Sequence, residues 1–459
     1  MKDPAPLVTV YITNHNYGEY LEQAIESVLQ QSYKNIELII IDDGSKDNSR
    51  QLLKIYQDRN NIKIIYQKNK GLPISNNIAL KQANGFYIIR VDADDYLDKN
   101  AIKILVNEFD NDEIGMVFGD WYVVNGKGEV LSIEKRHDFQ NDVKIYDQPA
   151  HGAFTMFRTD YIKTIGGYNE KLLMQDGYEL WFRFIDKYKI KNINLPIFYY
   201  RKHGRSLSDK NEKILATRST ILKDISKRSK KKDPSITAIF PVRGEKLDFR
   251  SKPFFKLNGK FLIDISIETF SNVSGIDLII ISSPDNDVHQ YVSEKYDSSN
   301  VISLKRPLNI SYIGVDLIKT LFFLNEKESI MSNYDAFMVH SIEVPFIKKH
   351  LIESAINVYK IFNTNTVISV TEDNRQFFKH SGNGMKPINY TEGIIRYEKD
   401  KCFVGVPGFL LRDCNDFTNT KNMLGSKIGH VTFDKISSFL IEDNLDMKVA
   451  EFYKDKDFS

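Results

Sequence analysis

The sequence has few cysteines, no long apolar run and almost no net charge. Its two cysteines, Cys402 and Cys414, are too few for a disulfide framework and lack the spacing of a zinc site. No apolar stretch approaches the roughly 20 residues that a membrane helix needs, and the first residues do not resemble a signal peptide. These absences predict a cytoplasmic protein, and they leave open a peripheral contact with the inner face of a membrane.

The balance of charges limits the classes of partner. A formal net charge of +2 argues against a strongly basic nucleic-acid-binding protein, so we expect no nucleic-acid partner. At 459 residues the chain is too long for one ordinary hydrophobic core. Length and composition therefore predict two globular domains, with three as the alternative.

The first half alternates short apolar runs with amphipathic helical segments. The runs that we interpret as strands are Leu7–Ile12, Ile36–Ile41, Ile62–Tyr66 and Tyr87–Val91. Such alternation is typical of a mostly parallel sheet with helices on both faces. Because the pattern restarts at Thr237, the predicted fold class is α/β, with two Rossmann-like α/β/α domains.

A basic stretch separates the two patterns. Residues 227–235 contain a run of lysines, few apolar side chains and Pro234. This composition is typical of a linker, although contact with an anionic lipid surface is an alternative. We predict domains at 1–226 and 236–459, joined by a basic linker at 227–235.

Polar side chains follow three of the predicted strands in the first half. Each group taken alone could equally be a turn or a helix cap. The carboxyl ends of parallel strands meet at one edge of a sheet, where ligands bind, so their joint placement favours a nucleotide site. Crowded carboxylates there also favour a hard divalent ion, Mn2+ or Mg2+, bound to a diphosphate. The residues are Thr13, Asn14, Asp42, Asp43, Asp92, Asp94 and Asp95.

Asp176 begins a further amphipathic segment that contains Trp181 and Phe184. A carboxylate at a helix N-terminus stays ionised, because the helix dipole and the free N–H groups favour the anion. Such a carboxylate can take a proton from an attacking hydroxyl group. The alternative is an ordinary helix cap.

Several motifs occur in the order found in family-2 glycosyltransferases of the GT-A fold. They are Thr13–Tyr17, Ile41–Ser45, Asn69–Leu72, Asp92–Asp95 and Gly166–Arg183, and the resemblance covers roughly residues 5–225. It implies inverting transfer of a sugar from a nucleotide-sugar donor, usually UDP-linked, to a glycan or glycolipid acceptor. One departure is Ser75–Asn77, where the family often has Ala-Arg-Asn.

The resemblance also assigns roles to individual residues. It implies that Thr13 and Asp43 hold the base and ribose, with Asn14, Asp42 and Asp92 beside them in the donor site. Asp92, Asp94 and Asp95 would hold the metal ion, and Asp176 would be the general base. A loop that follows Arg201 would close over the diphosphate, with His203 as a metal ligand or phosphate contact and Arg205 as a donor contact.

The second half resembles the CMP-sugar cytidylyltransferases over roughly residues 235–455. The motif begins at Phe240–Gly244, and its chemistry is eroded, because Glu245 stands beside the expected phosphate loop and Leu440–Glu442 lacks one metal-binding acid. The resemblance therefore implies a degenerate domain. Three cations, Arg243, Lys252 and Lys256, could still bind an anionic sugar or nucleotide, and a homodimer formed through this domain is compatible with the family.

Three functions are compatible with the sequence. The first is a metal-dependent glycosyltransferase that takes part in the synthesis of a surface polysaccharide or glycoconjugate. The second is a bifunctional enzyme whose second domain also activates an acidic sugar with CTP. The third is a non-catalytic scaffold that binds nucleotides or carbohydrates, and the intact Asp92, Asp94 and Asp176 argue against it.

Overall fold

A computed structural model describes residues 5–135, 150, 152–204, 211–296, 300–373, 375, 377–380, 385–388 and 402–454. The chain divides into two compact units, residues 1–218 with 376–400, and residues 219–375 with 401–459. Within the described ranges, no helix combines the length and apolar character that crossing a bilayer requires.

The first unit is built mainly of strands that alternate with helices. Its elements, up to the end of its large sheet, are β1 (Val8–Asn14), α1 (Gly18–Leu29), β2 (Ile36–Asp43), α2 (Ser49–Leu53), β3 (Ile62–Gln67), α3 (Leu72–Gln82), β4 (Tyr87–Asp92), β5 (Tyr96–Leu97), α4 (Ala101–Asn107), β6 (Ile114–Asn125), β7 (Val130–Glu134), β8 (Thr155–Arg158), α5 (Thr159–Thr164), α6 (Asp176–Ile185) and β9 (Lys189–Lys202).

The rest of the chain repeats this alternation. Its elements are α7 (Asn211–Arg228), β10 (Ile236–Pro241), β11 (Lys256–Leu257), β12 (Lys260–Phe261), α8 (Leu262–Ser271), β13 (Ile276–Ser283), α9 (Asn286–Tyr296), β14 (Val301–Lys305), α10 (Leu317–Glu328), α11 (Ile330–Asn333), β15 (Ala336–His340), α12 (Lys349–Phe362), β16 (Thr366–Asp373), β17 (Phe378–His380), β18 (Met385–Pro387), β19 (Cys402–Asp413), α13 (Cys414–Thr420), β20 (Ile428–Thr432) and α14 (Asn444–Lys454).

The first sheet has the order β3-β2-β1-β4-β8-β6-β9-β5, and β7 pairs with β6. Strands β3, β2, β1 and β4 run parallel, whereas β8 is antiparallel to both of its neighbours. The four parallel strands put their carboxyl ends at one edge of the sheet, as the sequence predicts.

Both faces of β1 and β4 are largely buried, but the two faces differ in chemistry. Val10 and Ile12 of β1 and Ile89 and Val91 of β4 belong to one fully buried apolar cluster. Because successive strand residues point to opposite faces, Arg90 and its strand neighbours project from the other face of the sheet. This second face carries Arg90 and Asp92 of β4 and Thr13 of β1.

The second unit contains its own α/β sheet, in the order β14-β13-β10-β15-β19-β16-β20. Its strands are parallel except for β19, which runs antiparallel to β15 and β16. The two sheets therefore share one strand order. If the parallel strands of each sheet are numbered as they occur in the chain, the order is 3-2-1-4, and an antiparallel strand follows. The α/β class is confirmed in both halves.

The basic stretch 227–235 belongs to the second unit, whose boundary lies within α7. Lys360 of α12 donates hydrogen bonds to the backbone oxygen of Ser226 and to the Asp233 carboxylate, at 2.9 and 2.7 Å. Lys231 donates in turn to the backbone oxygen of Lys360. These bonds attach the basic stretch to a helix of the second unit.

Candidate functional site

The polar ends of three neighbouring strands lie side by side in the first unit. Asn14 pairs in register with Asp42 of β2, and Thr13 pairs with Asp92 of β4. Strand register thus brings together residues from three segments that are far apart in the sequence, as the α/β pattern predicted.

Asp42 is fully buried and engaged within the protein. One carboxylate oxygen accepts hydrogen bonds from the Ser45 backbone and from Arg50, and the other accepts one from the Asn14 amide at 3.2 Å. Asn14 also donates to the Ser45 hydroxyl at 3.0 Å. These bonds fix the turn after β2. A nucleotide-sugar that contacted Asp42 or Asn14 would therefore have to share side-chain atoms that are already hydrogen-bonded within the protein.

Asp43 anchors the segment before α3. Its carboxylate accepts hydrogen bonds from the backbone N–H groups of Lys70 and Gly71, both at 2.8 Å, and from the side chain of Gln67 at 2.7 Å. Asp43 at the end of β2 therefore fixes the position of the segment Asn69–Leu72, which follows β3.

Asp92 lies at the end of β4, and burial raises its pKa to about 6. Arg90 and a hydrogen bond from Thr13 lower this pKa, whereas the nearby carboxylates of Asp94 and Asp176 raise it. Burial is the largest of these influences, so the charged form of Asp92 is disfavoured unless a further cation binds nearby.

Asp94 and Asp95 have different partners. The Asp94 carboxylate accepts a hydrogen bond from Nε2 of His203 at 2.9 Å. One oxygen of Asp95 accepts a hydrogen bond from the backbone of Arg201 at 2.7 Å, and the other is buried with no hydrogen-bond partner among the described residues. Burial, followed by the charges of Asp94 and Asp92, raises the pKa of Asp95 well above its usual range.

Asp176 begins α6 and is buried. Its Oδ2 accepts hydrogen bonds from Arg90 at 2.7 Å and from the Asn76 amide at 2.8 Å. The preceding residue, Gln175, adopts a left-handed conformation with φ 61°. Gly177 follows, and a Cβ atom there would lie 2.7 Å from the Cα atom of Gly152, so this close approach requires glycine.

Glu179, one turn further along α6, has a structural role. Its carboxylate pairs with Arg183, which also donates to the backbone oxygens of Ile165 and Gly167, both at 2.7 Å. These bonds hold the segment before α6 against the helix, which leaves Asp176 as the α6 carboxylate placed at the sheet edge.

Two buried arginines were not predicted as site residues. Arg90 lies within the strand that the sequence predicted as an apolar core strand, and Arg201 lies near the end of β9. Arg201 donates to the backbone oxygen of Asp94 at 2.8 Å and to Gln23 at 2.7 Å. The sequence could have indicated a role for Arg90, because it is a cation within an otherwise apolar strand. A buried arginine needs anionic or carbonyl partners.

Two tyrosines complete the surroundings of Asp176. The hydroxyl groups of Tyr11 and Tyr168 are 3.1 Å apart and buried. Burial raises the pKa of Tyr168 to about 12, so it stays neutral. In the sequence, Tyr11 lies in an apolar strand segment and Tyr168 follows two glycines. Neither context predicts that the two hydroxyl groups lie close together.

The predicted metal ligands fit a hard divalent cation. No three His, Cys, Asp or Glu side chains form a ready cluster in the part of the chain that the structure describes. Magnesium is often held by one or two carboxylates together with substrate phosphates and water. The unpartnered buried oxygen of Asp95 and the adjacent Asp92 and Asp94 supply such oxygens. Arg205 lies outside the described residues.

Each of the three predicted anion-binding cations of the second unit interacts with a side chain of the protein. Arg243 pairs with Asp248 at 3.3 Å, and Lys252 pairs with Glu245 at 3.6 Å. The Lys256 ammonium lies over an aromatic ring. The protein itself thus neutralises much of the positive charge that an anion would use.

Comparisons with known proteins match part of the first unit to one family model. The sequence model described as glycosyl transferase family 2 matches residues 9–175. Chondroitin synthase of Escherichia coli is 28% identical over 207 residues, 45% of this chain and 30% of that protein. Chondroitin synthase of Pasteurella multocida (strain Pm70) is 25% identical over 435 residues, 80% of this chain and 44% of that protein. The chain spans less than half the length of these relatives.

Among solved structures, S. aureus TarS 1-349 in complex with UDP-GlcNAc is 21% identical, with a TM-score of 0.41. The similarity covers 48% of this chain and 66% of that one.

Proposed function

Because residues 9–175 form a glycosyl transferase family 2 domain, we propose that this chain transfers a sugar from a nucleotide-sugar donor to a hydroxyl group of a glycan or glycolipid acceptor. The donor is UDP-linked, and transfer inverts the anomeric carbon. Chondroitin synthases among the relatives support a polysaccharide or glycoconjugate as the product class.

One observation carries this proposal, the position of Asp176. This carboxylate is buried at the N-terminus of α6 and held by Arg90 and Asn76. Arg90 also joins it to Asp92 on the strand edge where the donor site is predicted. A base beside a donor site is the arrangement that single-displacement transfer needs.

Proton transfer and substitution occur together in the proposed reaction. The Asp176 carboxylate takes the acceptor hydroxyl proton as the hydroxyl oxygen forms a bond to the anomeric carbon. The bond from that carbon to the phosphate oxygen breaks, and its electron pair leaves with the nucleoside diphosphate. Attack opposite the leaving group inverts the configuration.

Asp92, Asp94 and Asp95 would hold a divalent ion, Mn2+ or Mg2+, in the donor site. When bound, such an ion neutralises the charge that develops on the leaving diphosphate. Thr13 and Asp43 contact the base and ribose, and His203 keeps Asp94 oriented. Support comes from the buried, uncompensated oxygen of Asp95.

The second unit is a degenerate cytidylyltransferase-like domain in this proposal. Its cations pair with Glu245 and Asp248 and are less available to a triphosphate. We propose that it serves in acceptor binding or in homodimer formation. Release of pyrophosphate from CTP with an acidic sugar would instead favour the bifunctional alternative.

A donor and acceptor screen tests the proposed function. The full chain is incubated with Mn2+, individual UDP-, GDP- and CMP-sugars, and chondroitin- or hyaluronan-type oligosaccharides. We expect UDP release that depends on acceptor, with an α-linked donor giving a β-linked product by NMR. If no donor stabilises the protein against heat and none is consumed, the proposal is wrong.

A matched pair of variants serves as the control for this screen. Asp176→Asn removes the proposed base, whereas Asp186→Asn changes an exposed aspartate at the other end of the same helix. Acceptor-dependent release should disappear in the first variant and persist in the second.

A further inference from the structure

Arg90 is a buried cation that contacts the proposed base but takes no part in bond making or breaking. It is only 4% exposed and lies in the middle of β4. Burying an unpaired guanidinium is costly, so its partners determine its role. Those partners are Asp176, 2.7 Å from one terminal nitrogen, and Asp92, 3.0 Å from Nε.

The strand geometry explains why one side chain reaches both carboxylates. Arg90 and Asp92 are two residues apart on β4, so their side chains project from the same face. On β1 their partners in register are Tyr11 and Thr13. The guanidinium therefore lies on the polar face, between the strand end and the first turn of α6.

Glycines make room for this contact. A Cβ atom on Gly152 would lie 3.0 Å from a terminal nitrogen of Arg90, and one on Gly177 would meet the backbone of Gly152. Side chains at these positions would crowd the guanidinium away from Asp176.

The hydrogen bonds to Asp176 are asymmetric. Arg90 and Asn76 both donate to Oδ2. With Oδ2 occupied twice, Oδ1 is the oxygen on which the carboxylate can accept a further proton. The two donors thus select one oxygen of the base.

From this geometry we infer that Arg90 is a positioning residue, which orients Asp176 with Oδ1 toward the acceptor and fixes it relative to the donor carboxylate Asp92. The inference rests on the proposed function. Lysine at position 90 would keep the positive charge but lacks the planar fork that contacts both carboxylates.

Variants of Arg90 test this role through a double-mutant cycle. Arg90→Met and Arg90→Lys are made in the wild type and in Asp176→Asn, and transfer is measured in single turnovers with saturating donor. In the wild-type background we expect a loss of about 100-fold in rate, because misplacing a reacting group by about 1 Å has this effect. In the Asp176→Asn background we expect no further loss, because Arg90 acts through Asp176.

Equal losses in both backgrounds would overturn the inference. So would a lysine variant with the wild-type rate, since charge alone would then suffice. Because Arg90 also pairs with Asp92, donor dissociation constants can shift, but they should change by much less than the rate does, which separates positioning of Asp176 from donor binding. If Arg90→Met does not fold, the double-mutant cycle is measured with Arg90→Lys alone.

Arg158→Lys is the matched control, because Arg158 is also buried in this sheet and pairs instead with Asp112. It should change the melting temperature without changing the single-turnover rate by more than about twofold. Failure of the proposed function is distinguishable, because the wild type itself would then transfer no sugar.

Discussion

The imidazole of His203 donates a hydrogen bond to Asp94 and stacks on the ring of Tyr20, with ring centroids 5.3 Å apart. This contact joins the segment after β9 to the end of β4. The two residues are therefore in direct contact, although they are far apart in the chain.

Asp94→Asn should weaken metal-dependent transfer. The amide keeps the shape of the side chain but loses the charge that favours a divalent ion, so half-maximal activity should need at least about tenfold more Mn2+. Titration of Mn2+ at fixed donor measures this. Asp58→Asn, at an exposed position, is the control, and an unchanged Mn2+ requirement in Asp94→Asn would contradict the prediction.

Asp92→Asn should stabilise the ligand-free protein near neutral pH. Burial raises the folded pKa of Asp92 to about 6 from 3.8, so between these values the folded protein holds a proton that the unfolded chain has released. The free energy of unfolding therefore falls as pH rises through this interval, by at most about 3 kcal/mol.

Urea unfolding of wild type and Asp92→Asn at pH 4 to 7 measures this effect. The advantage of the variant should grow as pH increases. A variant that is equally or less stable than the wild type at every pH would contradict it.

The sequence predicted the parallel part of the first sheet well, because Val10, Ile12, Ile89 and Val91 mark buried strands that alternate with helices. It did not predict the antiparallel strands β8 and β19. Strand β19 contains two glycines and Pro407, residues that weaken a strand prediction, and it is held centrally between β15 and β16 by long-range pairing.

The candidate site was predicted in part for a similar reason. Carboxylates at strand ends follow from the sequence, because parallel strands end at one edge of the sheet. The contact between Arg90 and Asp176 does not, because it depends on how α6 packs against β4. The internal bonds of Asp42 likewise depend on a neighbouring strand and turn.

His340 should make the protein sensitive to acid. It is fully buried, its Nδ1 donates to the backbone oxygen of Gly408, and Nε2 accepts from the Ser266 hydroxyl. Burial lowers the pKa of His340 to about 4 from 6.5. Its contribution to stability is thus complete above pH 6.5 and is lost as pH falls toward 4, by about 3 kcal/mol.

His340→Asn provides the comparison, because the amide can still donate to Gly408. Unfolding free energies at pH 4 to 7 should show a smaller acid-dependent loss in the variant. Equal acid dependence in both proteins would show that His340 does not titrate on unfolding.

Gly177→Ala should slow transfer more than it weakens donor binding. The added Cβ atom would lie 2.7 Å from the Cα atom of Gly152, so the start of α6 must shift and move Asp176. We expect at least about a tenfold loss in rate. Gly126→Ala, where the nearest atom lies 3.6 Å from the new Cβ, is the control, and equal rates in both variants would contradict the prediction.

The role of Asp176 as the base is tested most directly by comparing transfer and donor binding in Asp176→Asn and Asp186→Asn. Loss of the general base should lower the transfer rate by about 100-fold to 10,000-fold. Donor affinity should remain close to that of the wild type, and Asp186→Asn should behave as the wild type in both measurements. Full transfer activity in Asp176→Asn would contradict the account.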